Sequence, residues 1–197
     1  MPPIPSFENR KGPKQIMAFG KFGTYKKVEH MIEAVELVRQ RSKEDIEIVI
    51  AGTDSPNVKG YQANVEKKYN HIKNIKFTGY VEEVDVPEVF SASTAVVFPY
   101  TSTTGSSGVL HQAGSYGKAV ILPNIGDLKD LIEDEGYRGE YFTPSNVESM
   151  ADAIEKLVTD DGHRKSLAAK NYAAAAALPM EDIADWYLMH FESLVSK

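Results

Sequence analysis

The 197 residues, 42% hydrophobic and 25% charged, suit one domain of an ordinary soluble globular protein. A formal net charge of −6 argues against a broad nucleic-acid surface, and the lack of cysteine excludes disulfide frameworks and thiolate metal sites. No apolar run reaches the length of a membrane span and no secretory pattern opens the chain, so a cytoplasmic location is expected.

Residues 1–13 (MPPIPSFENRKGP) carry four prolines and read as an extended linker or arm. Residues 14–20 (KQIMAFG) read as a strand closed by glycine. Over 27–43, Val28, Met31, Ile32, Val35 and Val38 recur at helical spacing. A second strand, 46–52 (IEIVIAG), also ends at glycine, and 57–70 is predicted helical. Next come a short strand at 75–78, a short helix at 85–91 and a buried strand at 95–99 (AVVFP). A helix over 108–116, a strand over 119–123 (AVILP), a helix over 128–135 and a marginal strand over 140–143 follow. The acidic run from Asp127 to Glu135 reads as a solvated helix face. From Asn146 onward the pattern is helical, with predicted helices starting at 146, over 163–178 and over 181–195. Continuously apolar strands separated by helices predict an α/β fold, a doubly wound parallel sheet with a helical C-terminal tail. The expected division is an arm over 1–13, a ligand-binding domain over 14–178 and a C-terminal helix over 179–197.

In such folds ligands sit beyond the C-terminal ends of the strands. After the first strand, Lys21 and Lys26 stand in the glycine-punctuated stretch GKFGTYKK before a helix, a pattern suited to a diphosphate. The bland alternative is that Lys26 and Lys27 are solvated loop lysines. After AVVFP, the run YTSTTGSSG leads into a helix, and its small residues let backbone N–H groups reach an anion. The alternative there is a surface loop whose hydroxyls supply an N-cap. His30, His71, His111, His163 and His190 show no metal-ligand spacing, so they are not read as metal ligands; no cofactor is expected. His111 lies near the proposed site but reads as a packed or surface histidine. Trp186, Tyr187 and Phe191 read as core or interdomain anchors.

In order, the chain holds GKF followed by Lys26-Lys27, IVIAG, FTGYV (77–81), VVFP (96–99) and QAGSYGKAV (112–120). This series resembles the C-terminal, donor-binding domain of retaining GT-B glycosyltransferases of family 4 (group 1). The resemblance covers about 14–195 and implies a Rossmann-like domain, one half of a GT-B fold. It also implies a nucleoside-diphosphate-sugar substrate and catalysis without a metal ion. Lys21 and Lys26 match the family's basic residues that neutralise the leaving diphosphate. Gly105, Ser106, Ser107, Gly108 and Val109 match the amides that meet the same phosphates. Gly79, Tyr80 and Val81 match the segment that frames the nucleobase. Gln112 stands at the ribose position and Thr104, with Thr103, at the transferred sugar.

The sequence departs from the family in two carboxylates, which are here Thr104 and Gln112, and in the basic residue replaced by Lys21. Glutamine still accepts one hydrogen bond and donates another, whereas threonine is shorter and uncharged. The leading expectation is the donor half of a transferase, inactive alone, with an N-terminal acceptor-binding domain as its partner and membrane contact, if any, through that half. The competing readings are a non-catalytic, transferase-like interaction subunit and a sugar-nucleotide epimerase. No constellation suited to abstracting a sugar proton supports the latter.

Overall fold

The computed structural model describes residues 2–102, 107–177 and 180–195. In chain order these form β1 (Lys14–Phe22), α1 (Val28–Ser42), β2 (Ile46–Asp54), α2 (Tyr61–Lys68) and β3 (Ile75–Gly79). A 3-10 turn (Glu83–Asp85) leads into α3 (Val86–Ala92), β4 (Ala95–Val97), α4 (Gly108–Ser115), β5 (Ala119–Pro123) and α5 (Gly126–Asp134). Then come β6 (Glu140–Phe142), α6 (Val147–Thr159), α7 (Asp161–Ala176) and α8 (Met180–Val195). The strands form one parallel sheet in the order β3-β2-β1-β4-β5-β6. The α/β, doubly wound architecture expected from the sequence is the one observed.

Successive side chains on a strand point to opposite faces, and here both faces are apolar. Ile16, Ile48, Ile50, Val97 and Ile121 join one core layer with the buried stripes of α1 and α6. Met17, Val49, Val96, Phe98 and Val120 join the other, with Phe90 of α3, Leu110 of α4 and Leu128 of α5. In α1, Val28, Met31, Ile32, Val35 and Val38 are buried, the stripe that 3.6-residue periodicity requires. Burying each large side chain contributes about 1.5–3 kcal/mol, so a charge at Val35 would detach the helix from its layer. Asn146 caps α6 by accepting from the Ser149 N–H at 3.0 Å, and Asp160 caps α7 by accepting from the His163 N–H at 2.8 Å.

Several boundaries differ from expectation. β1 continues past Gly20 to Phe22, because Lys21 and Phe22 still pair with Thr53 and Asp54 of β2. The helix expected over 57–70 is only Tyr61–Lys68, since Gly60 precedes it at a φ of +81° and its N–H is held by Asp54 at 2.6 Å. Regular pairing of β4 ends at Val97, before Pro99, which has no N–H to donate. Residues 2–13 form no helix or strand, but they are docked. Phe7 packs edge-on against Tyr172, Arg164 donates to the Phe7 carbonyl at 2.9 Å, and Arg10 pairs with Glu88. Trp186, Tyr187 and Phe191 of α8 are more than half exposed, so they are not core residues of this domain.

Candidate functional site

β1 and β4 are neighbours in the sheet, yet α1 and α4 leave them towards opposite faces, which opens a crevice between their C-terminal ends. The segment after β1 is fastened to the segment after β4. Lys26 forms an antiparallel bridge with Tyr100, the Lys27 N–H donates to the Pro99 carbonyl at 2.9 Å, and the Thr101 N–H donates to the Tyr25 carbonyl at 2.8 Å. This fastening sets the Lys26 Nζ 4.8 Å from the centre of the Tyr100 ring. The same amine lies so close to Gly20 that a Cβ there would be 3.2 Å from it, and 3.8 Å from a methyl of Val109. An ammonium, the end of β1 and the first turn of α4 therefore meet at one point.

Burial holds the Lys26 pKa below the ordinary lysine value, and the nearby Tyr25 only partly opposes the shift. The Tyr100 ring offsets part of the desolvation through a cation–π contact. Among the described residues no carboxylate pairs with Lys26 or with Lys21. Tyr100 itself is buried, which pushes its pKa up to about 12, so it stays a neutral phenol 3.2 Å from the Ser107 hydroxyl. α4 begins at Gly108, and open space lies where a side chain would stand there. The N–H groups of Gly108 and Val109 precede the first intrahelical bond and carry the positive end of the helix dipole.

Beside this point is a cavity of about 390 Å³ with Lys21, Tyr80, Val81, Glu83 and Gln112 on its walls and Gly20 and Gly52 at its floor. The floor depends on glycine. Gly52 has a φ of +135°, and a Cβ on it would fall on the Gly20 carbonyl oxygen. A larger cavity of about 770 Å³ lies at the other end of the sheet, lined by Arg39, Tyr69 and His71 among others. There the polar groups serve one another: the Tyr69 hydroxyl donates to Glu33, and Arg39 to Glu36 and the Lys73 carbonyl. The strand-end cavity is the stronger candidate, because the side chains of Lys21, Glu83 and Gln112 on its wall meet no hydrogen-bond or ion-pair partner among the described residues, and its place is where this architecture binds ligands.

The structure thus gathers Lys21, Lys26, Tyr80, Val81, Gln112, Gly108 and Val109 around one crevice. Lys21 reaches it from β1 itself rather than from a loop, because the strand continues through it. Gly79 ends β3 with a φ of +68° and is not on the cavity wall. Ser107 precedes α4 without capping it through its side chain. Thr103, Thr104, Gly105 and Ser106 lie outside the described residues. His111 turns from the cavity towards the α5–β6 junction, with Nδ1 3.0 Å from the Tyr137 hydroxyl and Nε2 3.7 Å from the Glu135 carboxylate. That Glu135 oxygen is buried and has no hydrogen-bond partner among the described residues, so the acidic run is not wholly a solvated face. Sequence reasoning missed Tyr100 and Glu83. The position of Tyr100 directly after an apolar strand was a usable signal, whereas no local pattern marks Glu83.

Residues 4–174 match the family described as glycosyl transferases group 1. An alpha-D-kanosaminyltransferase from Streptomyces kanamyceticus is 27% identical over 165 residues, which cover 83% of this chain and 40% of that protein. The chain therefore spans less than half the length of this curated relative. Among solved structures, Anabaena Alr3699/HepE in complex with UDP and glucose superposes with a TM-score of 0.78 at 17% identity, covering 92% of this chain and 48% of the other. The C-terminal domain of the group 1 family glycosyl transferase LpcC from Francisella tularensis gives a TM-score of 0.70 at 21% identity, covering 87% of this chain and 94% of that one. At such identities these likenesses speak for the fold. The family match spans the docked arm, the sheet and most of α7, and on that ground the chain belongs to the glycosyl transferases group 1 family.

Proposed function

We propose that this chain is the nucleotide-sugar-binding half of a retaining glycosyltransferase, which moves a hexose from a nucleoside-diphosphate sugar to a glycan or other acceptor. The observation that carries the reading is Lys26: its ammonium is destabilised by burial, rests on an aromatic ring, and meets no carboxylate among the described residues. An anion placed between it, Lys21 and the start of α4 would satisfy all three. In the reaction the bond between the anomeric carbon and the phosphate oxygen breaks, and the nucleoside diphosphate leaves with the electron pair. The acceptor oxygen replaces it on the same face and gives up its proton to the departing diphosphate. Negative charge grows on the departing phosphate, so two fixed ammonium groups and a helix N-terminus lower the barrier without a metal ion. Gln112 would hold the ribose hydroxyls, and Tyr80 with Val81 the base.

The acceptor and its catalytic groups belong to a second domain in this reading, which fits the 40% of the curated relative that the chain covers. The chain alone then binds donor and transfers no sugar, and it works in the cytoplasm. Titration of the isotope-labelled chain with UDP and GDP, followed by amide NMR, tests the reading. Shifts should concentrate at Lys21, Lys26, Gly108 and Val109. Unmoved signals there at millimolar nucleotide would sink it.

A further inference from the structure

We infer that Glu83 selects the base of the bound nucleotide, and that the base is guanine. The inference rests on the proposed nucleotide site and adds to it the class of donor, a guanosine-diphosphate sugar.

The cavity is polarised. Its cations, Lys21 on its wall and Lys26 just beyond Gly20, belong to the β1 side, next to α4. Its one wall carboxylate among the described residues, Glu83, stands at the β3 side, in the turn that follows Tyr80 and Val81. Two strand spacings, about 10 Å, separate the ends of β1 and β3. A nucleoside diphosphate laid with its phosphates on the cations therefore extends its base towards Glu83. Tyr80 is 70% exposed, so it offers a free ring face against which a base can stack. Glu83 makes no hydrogen bond or ion pair with any described side chain, so both carboxylate oxygens are available. Among the described residues only its backbone carbonyl is used, by the Val86 N–H.

The chemistry of a carboxylate then discriminates among bases. Ionised, it is an acceptor only. Guanine presents two adjacent donors on one edge, the ring N1–H and the exocyclic amino group, which match the two oxygens of a carboxylate. Uracil presents a single N–H between two carbonyl oxygens, whose lone pairs face the carboxylate and repel it. Cytosine and adenine each set an amino donor beside a ring acceptor, so one contact forms and one repels.

Calorimetric titration of the chain with GDP, inosine diphosphate, UDP and ADP tests the assignment. GDP should bind about tenfold more tightly than UDP or ADP, the scale of one good bidentate contact, with inosine diphosphate between them because it lacks the amino group. Glu83→Gln and Glu83→Ala should bring GDP to within about threefold of UDP, by weakening GDP while UDP binds no less tightly than before, and the melting temperature stays put. UDP binding as tightly as GDP overturns the inference and leaves the site standing. A GDP preference that survives both substitutions removes Glu83 from base selection. Binding of none of the nucleotides overturns the site and this inference together.

Discussion

Lys118 lies at the N-terminal edge of the sheet, buried, and donates to the Ser91 and Ser93 carbonyls at 3.0 and 2.9 Å. Lys26 lies at the C-terminal edge, and burial lowers its pKa as it lowers that of Lys118. It rests, however, against the rings of Tyr100 and Tyr25 and beside Gly20. The same division extends to other cations. Lys14 donates to Glu44 and to the Val158 carbonyl at 2.6 Å each, and Arg39 gathers the Ile46, Lys73 and Asn74 carbonyls. Even within the crevice loop, Lys27 turns inward to the Gly23 carbonyl at 2.9 Å, whereas Lys26 does not. Desolvation alone thus fails to separate a structural lysine from the one proposed to meet a ligand. The separating feature is whether the described residues supply oxygen to receive its hydrogens.

The largest effect should come from filling the crevice floor. Gly52→Val places a Cβ on the Gly20 carbonyl and asks a branched residue to hold a φ of +135°. Overpacking and backbone strain together should cost about 4 kcal/mol, lowering the melting temperature by about 10 °C for a chain of this size. A melting curve within 2–3 °C, roughly the shift of 1 kcal/mol, would mean that β1 and β2 do not approach as described.

Next in size is removal of the open cations. The pair Lys21→Ala and Lys26→Ala should weaken nucleoside-diphosphate binding by about a hundredfold or more, two charge-assisted contacts being lost, with the melting temperature nearly unchanged. Calorimetry and a melt on the same sample read both. A large loss of stability with binding preserved would make these lysines structural and erase the contrast between the sheet edges. The intact site should also lose affinity at lower pH than an ordinary lysine would dictate. Binding needs the charged form, and the Lys26 pKa is depressed, so affinity falls as pH rises through that depressed value. Lys26→Arg, charged throughout, should flatten the profile.

Much of this contrast was invisible in the sequence, for physical reasons. The order of strands and helices was legible because apolar runs and 3.6-residue stripes are local signals, as in IEIVIAG and in Val28 to Val38. Gly52 could be read as a strand end, although its contact with Gly20 depends on the register of two strands. Gly20 looked like a terminator for the same reason that Gly52 did, yet pairing carries β1 two residues further. Lys26 and Lys27 are indistinguishable as letters. Only the bridge to Tyr100, a residue 74 positions away by difference of numbers, turns one towards the crevice and leaves the other facing Gly23. The prolines of 1–13 suggested a free arm, because no local pattern shows that Phe7 would find Tyr172. Glu83 acquires meaning only when α4 and the ends of β1 and β2 complete the cavity around it.

The smallest effect tests the structural lysine. Burial first, then the charges of Arg164 and Arg10, lower the Lys118 pKa to about 8, against an ordinary value of about 10.4 in the unfolded chain. Between those values the unfolded chain binds more protons than the folded one, so the contribution of Lys118 to stability rises with pH across that window. Below about pH 8 the group is charged in both states and the penalty for burying it is fully present. Comparing denaturant unfolding of the native chain and Lys118→Met at pH 8 and pH 10 isolates this term, because buried tyrosines such as Tyr100 and Tyr137 are common to both proteins. The native chain should gain about 2 kcal/mol on the variant over that interval. A difference that stays flat, or that moves the other way, would show that the two carbonyls compensate the buried ammonium fully. Lys118 and Lys26 would then differ in burial cost as well as in partners.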